Sequence, residues 1–278
     1  MKKRIGILAL GLLFLLIIFI LIVFPNSNVN SNKITNMITK TNIVKKVQIN
    51  SINTNIINEI RHNPEKINKV FFSVKQELKS TLGSSFSNLT DDELRIIFAG
   101  IISYQLAPYG SSKNLEFNKI LVEKKLSCDK YAIAVGYFSR IFNIKNNSIR
   151  FVGWHGGIIG NHAQLFVENN KTSTSIMIDP TIAVIALASF DEIASGEPIP
   201  AEKIVDFSTR TELNSFEGKV IEALLKGDYK PSDMLYYFED LEHFLKGSIT
   251  SDKDWPPNWM TPGAMKLRQD INKLKNLK

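Results

Sequence analysis

The chain has 278 residues, a formal net charge of +7, 44% hydrophobic residues and one cysteine. The basic excess lies at the two ends, and residues 25–263 are close to neutral. Nucleic-acid binding is therefore disfavoured, because it needs basic residues gathered on a folded face. This composition also excludes disulfide-rich, collagenous and repeat classes.

Residues 5–24 form an uncharged apolar run that, at ~1.5 Å per residue, would be about 30 Å long as a helix. This length predicts an N-terminal transmembrane helix within residues 1–24. The alternative is a cleaved signal peptide, but the run is long for one and no small-x-small cleavage pattern follows it. Lys2, Lys3 and Arg4 should remain cytoplasmic, so the chain after the span should lie on the outer side of the membrane. We therefore expect a single-pass membrane protein with a periplasmic or extracellular domain.

Four segments follow from this pattern. After residues 1–24 comes an Asn-rich tether over 25–58, a folded domain with a C-terminal helical extension over 59–263, and a basic tail over 264–278. Helical spacing of apolar residues predicts helices over 67–78 and 90–102, the second opened by Thr90 and Glu93 at capping-box spacing. Further helices are predicted over 190–194, 215–226 and 232–246.

The lone Cys128 follows Ser127, a suitable N-cap, and precedes a helical apolar pattern. The first turn of a helix stabilises a thiolate, and its free N–H groups can hold an oxyanion. The alternative is a buried structural cysteine that continues the apolar face of the helix.

Three strands are predicted downstream, over 148–154, 162–168 and 173–179. A symmetric hairpin between the last two places His162 directly opposite Asp179, on the same face of the sheet. Pro180 should end the strand, leaving Asp179 at a sheet rim. Cys128, His162 and Asp179 could therefore act as a nucleophile, a base and a carboxylate that orients the base.

The segments around Cys128, His162 and Asp179, in that order, resemble the transglutaminase-like superfamily. The resemblance covers about a quarter of the chain. It implies an α+β, papain-like fold, with the cysteine at a helix N-terminus packed against an antiparallel sheet and further helices flanking it. It also implies acyl transfer through a cysteine thioester.

The chain departs from the family at two frequent positions. Leu126 stands where many members have Gly, and Gln164 where many have Trp. The second oxyanion donor is not fixed by the sequence, and Tyr104, Gln105 and Tyr109 are candidates by residue type.

Other site candidates are weaker. Trp154, His155 and Gln164 are candidates for contact with substrate, with His155 in a glycine-flanked loop. No metal motif or cofactor motif is present in the sequence, so neither a metal nor a cofactor is expected.

The sequence thus predicts a membrane-anchored bacterial cysteine enzyme that acts on a protein or peptide amide, as a peptidase, an amidase or a protein-glutamine crosslinker. The alternative is an inactive domain of the same fold that serves as a binding or scaffold module in the cell envelope. Substrate, acceptor and oligomeric state are left open.

Overall fold

The computed structural model describes residues 44–112, 114–144, 148–155, 162–169, 171–210, 214–229, 233–238, 241 and 245. None of the helices within these ranges is long and apolar enough to cross a bilayer. The predicted membrane span and the basic tail lie outside the described residues.

The described part of the chain is a mixed α/β unit that begins at Val44. Its helices are α1 (Thr54–His62), α2 (Lys66–Leu82), α3 (Asp91–Leu106), α4 (Phe117–Ile120), α5 (Cys128–Ile141), α6 (Phe190–Ser195) and α7 (Asn214–Lys226). Its strands are β1 (Lys45–Lys46), β2 (Ser148–His155), β3 (His162–Asn169), β4 (Thr174–Asp179), β5 (Val184–Ala186), β6 (Ile204–Asp206) and β7 (Asp233–Phe238).

The strands form one sheet in the order β1-β6-β5-β4-β3-β2-β7. Neighbouring strands are antiparallel except for β1 and β6, which are parallel. The antiparallel order of β2 to β6 follows the chain, so this part of the sheet is a meander of short connections. The predicted combination of helices with an antiparallel sheet is confirmed at this level.

Residues 44–58 belong to the fold rather than to the predicted tether. Strand β1 pairs with β6, and Val47 and Ile49 are buried in the main core. Because the segment is rich in Asn, its composition did not indicate that Val47 and Ile49 would be buried. Helix α1 is then capped by Asn53, whose side-chain oxygen accepts the backbone N–H groups of Asn55 and Ile56.

Helices α2, α3, α6 and α7 agree with the helices predicted over 67–78, 90–102, 190–194 and 215–226. Helix α3 also has the predicted capping box between Thr90 and Glu93. The predicted helix over 232–246 is wrong in its first part, because Asp233–Phe238 forms strand β7 against β2. Three aromatic residues, 236–238, favour a strand, and β2 offers a free edge for pairing.

The β3–β4 register differs from the predicted one. Leu165 pairs with Ile178 and Asn169 with Thr174, so the turn is centred one residue later than a symmetric loop over 169–172 would place it. Asn169 explains the shift. Its side chain accepts the N–H of Lys171 and donates to the buried Glu93 of α3, which holds Asn169 within the strand.

Both faces of the sheet are covered. On one face α3 approaches β4 so closely that a Cβ on Gly100 would lie 2.7 Å from Ile178 Cγ2. On the other face Phe166 of β3 meets Phe190 of α6 edge to face, with ring centroids 5.4 Å apart. The core is thus divided between the two faces, and β3 and β4 run through its centre.

A buried pair of carboxyl groups joins β6 to α7. Asp206 accepts the N–H of Ser208 at 2.7 Å, and the Ser208 hydroxyl donates to Glu217 at 2.8 Å. Burial, followed by the hydrogen bond shared with Asp206, raises the pKa of Glu217 to about 7. Because this pKa is raised on folding, its contribution to stability is full below pH ~4.5 and is lost as the pH rises through about 7.

We expect Glu217→Gln to leave the free energy of unfolding unchanged at pH 5 and to raise it at pH 8. Glutamine keeps the uncharged form that the site favours, and the gain should be about 1 kcal/mol after solvent screening is allowed for. Urea unfolding at the two pH values measures it. Glu222→Gln, at an exposed position of the same helix, is the matched control. Equal pH dependence in wild type and Glu217→Gln would contradict the assignment.

Candidate active site

Cys128 is the first residue of helix α5 and is partly buried. Ser127 is the N-cap residue, as predicted, but its side chain makes no capping hydrogen bond. Its hydroxyl donates instead to Asp129, which also pairs with Lys130. The first-turn N–H groups are therefore not occupied by the N-cap side chain, and they face the end of the helix that carries the thiol.

His162 is the first residue of β3 and is buried. Its Nε2 lies 2.6 Å from Asp179 Oδ2, and Cys128 is near enough to help raise the pKa of the imidazole. Since Nε2 faces the carboxylate, Nδ1 is the ring nitrogen left for the thiol. The imidazole thus lies between Cys128 and Asp179, and the structure brings together all three residues of the predicted triad.

The actual register explains why His162 and Asp179 still meet. Extending the β3–β4 pairing by one residue sets Gln164, rather than His162, opposite Asp179. The centre of the turn lies one residue later than predicted. The residue opposite Asp179 therefore changes by two positions, and His162 stays on the same face of the sheet as Asp179. His162 and Asp179 are therefore diagonal neighbours on one face, within reach of each other's side chains.

Asp179 is the last residue of β4, as predicted from Pro180, and its side chain is fully buried. Oδ1 accepts the N–H groups of Thr181 at 3.1 Å and Ile182 at 3.4 Å. These bonds close the turn into β5 and fix the carboxylate from its backbone side. A single residue thus shapes the turn and orients the imidazole.

The electrostatics of the site favour a charged imidazole. Burial alone lowers the pKa of His162, but the charge of Asp179, its hydrogen bond and the contact with Cys128 outweigh burial and raise the pKa to about 10. An imidazolium at neutral pH stabilises a neighbouring thiolate. The arrangement can therefore hold a Cys128 thiolate and a His162 imidazolium as an ion pair.

Of the three residues considered as a second oxyanion donor, Tyr109 lies beside the segment that leads into α5. Its pKa is raised by partial burial and then by the charges of Cys128 and Asp129. Pairing of segment 108–110 with Leu126, just ahead of α5, brings it there. Tyr109 is 44% exposed.

The other two donor candidates have structural contacts. The Tyr104 hydroxyl accepts the N–H groups of Thr209 and Arg210, and the Gln105 amide donates to Thr209. The Arg210 guanidinium donates in turn to the carbonyls of Tyr104 and Ala107, which secures the chain just before Tyr109.

Gln164, considered as a substrate contact, is fully buried and bound to Asp179 and Tyr229. The backbones of Trp154 and His155 end strand β2, and the substrate contacts predicted for their side chains stay predictions. Tyr229 was not predicted. The apolar periodicity of α7 gave no sign that the segment after this helix reaches the site.

Within the described residues, no group of three or more His, Cys, Asp and Glu side chains could hold a metal ion. No protein-family model matches the chain, and no curated protein or solved structure matches it either.

Proposed function

We propose that this chain is a cysteine enzyme of the transglutaminase-like type, which cleaves or transfers the acyl group of an amide through a Cys128 thioester. The observation that carries the proposal is the position of His162, which is hydrogen-bonded to Asp179 at 2.6 Å and near enough to Cys128 for the thiol to affect its pKa. The order of Cys128, His162 and Asp179 in the chain, the cysteine at a helix N-terminus and the two adjacent strands support the family. The apolar N-terminal run supports a membrane anchor with the domain outside the cytoplasm.

The first step forms a bond between the Cys128 sulfur and the carbonyl carbon of the amide. As the tetrahedral intermediate collapses, the C–N bond breaks and the His162 imidazolium gives its proton to the leaving amine. The backbone N–H groups at the start of α5 and the Tyr109 hydroxyl are the donors available to the oxyanion. Asp179 holds the imidazole in one orientation throughout.

The second step returns the enzyme to its starting state. A water molecule or a primary amine attacks the thioester carbon while neutral His162 accepts its proton. The C–S bond then breaks, and the Cys128 thiolate leaves beside the newly formed imidazolium. Water yields an acid by hydrolysis, whereas an amine yields a new amide by transfer.

A small activated ester tests this chemistry without knowledge of the natural substrate. We expect p-nitrophenyl acetate to give a burst of nitrophenolate from the full-length protein and a hydroxylamine-labile acetyl group on Cys128, seen by mass spectrometry. Added primary amine then shows whether the acyl group is transferred. Cys128→Ser should lose the adduct, and His162→Ala should slow its formation and its turnover.

The inactive scaffold predicts a different result. Cys128 would then acetylate no faster in wild type than in His162→Ala, with no turnover in either protein. Both variants must show cooperative urea unfolding for this comparison to count.

A further inference from the structure

The Asp179 carboxylate has two side-chain partners on the same oxygen. Oδ2 accepts a hydrogen bond from His162 Nε2 at 2.6 Å and another from Gln164 Nε2 at 2.8 Å. With the backbone donors on Oδ1, both oxygens of this fully buried group are hydrogen-bonded. The plane of the carboxylate is therefore set by groups other than the histidine it orients.

The Gln164 amide is itself held from a different part of the chain. Its Nε2 donates a second hydrogen bond to the Tyr229 hydroxyl at 2.6 Å, and both side chains are buried. Tyr229 lies in the short segment that leaves α7 through Gly227, whose φ is +70°. The N–H groups of Asp228 and Tyr229 both bond to the Ala223 carbonyl, which fixes the phenol over β3.

We propose that Gln164 and Tyr229 form a positioning pair that locks the Asp179 carboxylate in the orientation required by His162. The inference rests on the proposed function, since it assigns these residues a role in the same site. It also assigns a role to α7 and the segment after it, which place the Tyr229 hydroxyl against β3 at the centre of the sheet.

The roles of the two residues follow from their donors and acceptors. An amide can present either its nitrogen or its oxygen to a neighbour, and only the nitrogen is attracted to a carboxylate. The Asp179 carboxylate thus selects the amide orientation, and the Tyr229 hydroxyl accepts a hydrogen bond from the same nitrogen and holds it in place. Burial, with the charge of Asp179, raises the pKa of Tyr229 well above its ordinary value, so the phenol remains neutral.

Without this pair the carboxylate would keep its backbone contacts but would lose the side-chain donor that shares Oδ2 with the imidazole. The His162 ring would then sample orientations that point Nδ1 away from Cys128. The expected consequence is a weaker ion pair in a protein that remains folded.

The test uses the full-length protein with Gln164→Met, which keeps the length and removes the donors, and with Tyr229→Phe, which removes one hydroxyl. The first readout is the rate of Cys128 alkylation by iodoacetamide at pH 6.5. We expect Gln164→Met to lower this rate by about tenfold, as loss of one hydrogen bond to a charged group typically does. Tyr229→Phe should lower it less. Gln105→Met, at an amide bonded to Thr209, is the matched control.

The second readout is the proton resonance of the His162 Nε2–H that donates to Asp179, assigned by its disappearance in His162→Ala. We expect both variants to shift or broaden it, and the Gln105 control to leave it unchanged. Unchanged resonance and alkylation rate in folded Gln164→Met and Tyr229→Phe would overturn the positioning pair. Failure of the proposed function differs, since wild type and His162→Ala would then alkylate equally while the resonance still reports on the pair.

Discussion

Asp179→Asn is expected to remove most of the turnover while leaving the protein folded. The asparagine oxygen can still accept the N–H groups of Thr181 and Ile182, so the β4–β5 turn should persist. The charge that holds His162 protonated is lost, however. Only Cys128 then opposes the effect of burial on the imidazole, and its pKa should fall steeply from about 10.

Without the imidazolium at neutral pH, the thiolate loses its partner and the leaving group loses its proton donor. In serine enzymes the equivalent change costs roughly 10⁴ in turnover, and we expect about 10³–10⁴ here. Turnover of p-nitrophenyl acetate and the titration of His162 followed by NMR measure the two effects. Asp191→Asn, at an exposed carboxylate in the first turn of α6, is the matched control. A variant with wild-type turnover would contradict the role of Asp179.

The second large effect concerns Glu93, whose fully buried carboxylate connects α3 to the β3–β4 hairpin. It accepts four hydrogen bonds: from the N–H and hydroxyl of Thr90 at 2.6 and 2.9 Å, and from Asn169 and Thr172 at 3.1 Å each. We expect Glu93→Ala to lower the free energy of unfolding by about 3–4 kcal/mol, because buried donors lose a charged partner and α3 loses half of its capping box.

Urea unfolding monitored by circular dichroism measures this loss. Glu116→Ala provides the comparison, since Glu116 is exposed and paired with Lys119 on the surface, where an ion pair contributes little. If Glu93→Ala were no more destabilising than Glu116→Ala, the buried network would not be a major source of stability.

Local patterns predicted the elements of the site well. The capping box of α3, the helix that begins at Cys128 and the end of β4 before Pro180 all follow from residue types at short spacing. The pairing of β3 and β4 required a turn geometry that composition does not specify. The prediction survived an incorrect register because a shift of one residue in both strands keeps His162 and Asp179 on the same face.

The sequence patterns did not predict which distant segments would contact each other. Tyr229 reaches Gln164 across 65 residues, and nothing in the local pattern around either residue indicates it. Residues 233–238 have apolar spacing compatible with a helix, yet the open edge of β2 makes them a strand. The packing of Val47 and Ile49 against the core was similarly concealed by the polar residues around them.

The most direct test of the central claim is the pH dependence of Cys128 alkylation by iodoacetamide in the full-length protein and in His162→Ala. Cys128 is the only cysteine, so every adduct reports on this thiol. A His162-stabilised thiolate predicts a rate in wild type that has reached its plateau well below pH ~8.5, the ordinary thiol value, and a return toward that value in the variant. At pH 6.5 the wild type should react at least about tenfold faster, since an unperturbed thiol is only about 1% ionised there. Identical profiles in two folded proteins, both rising near pH ~8.5, would contradict the ion pair and with it the assignment of Cys128 as a nucleophile.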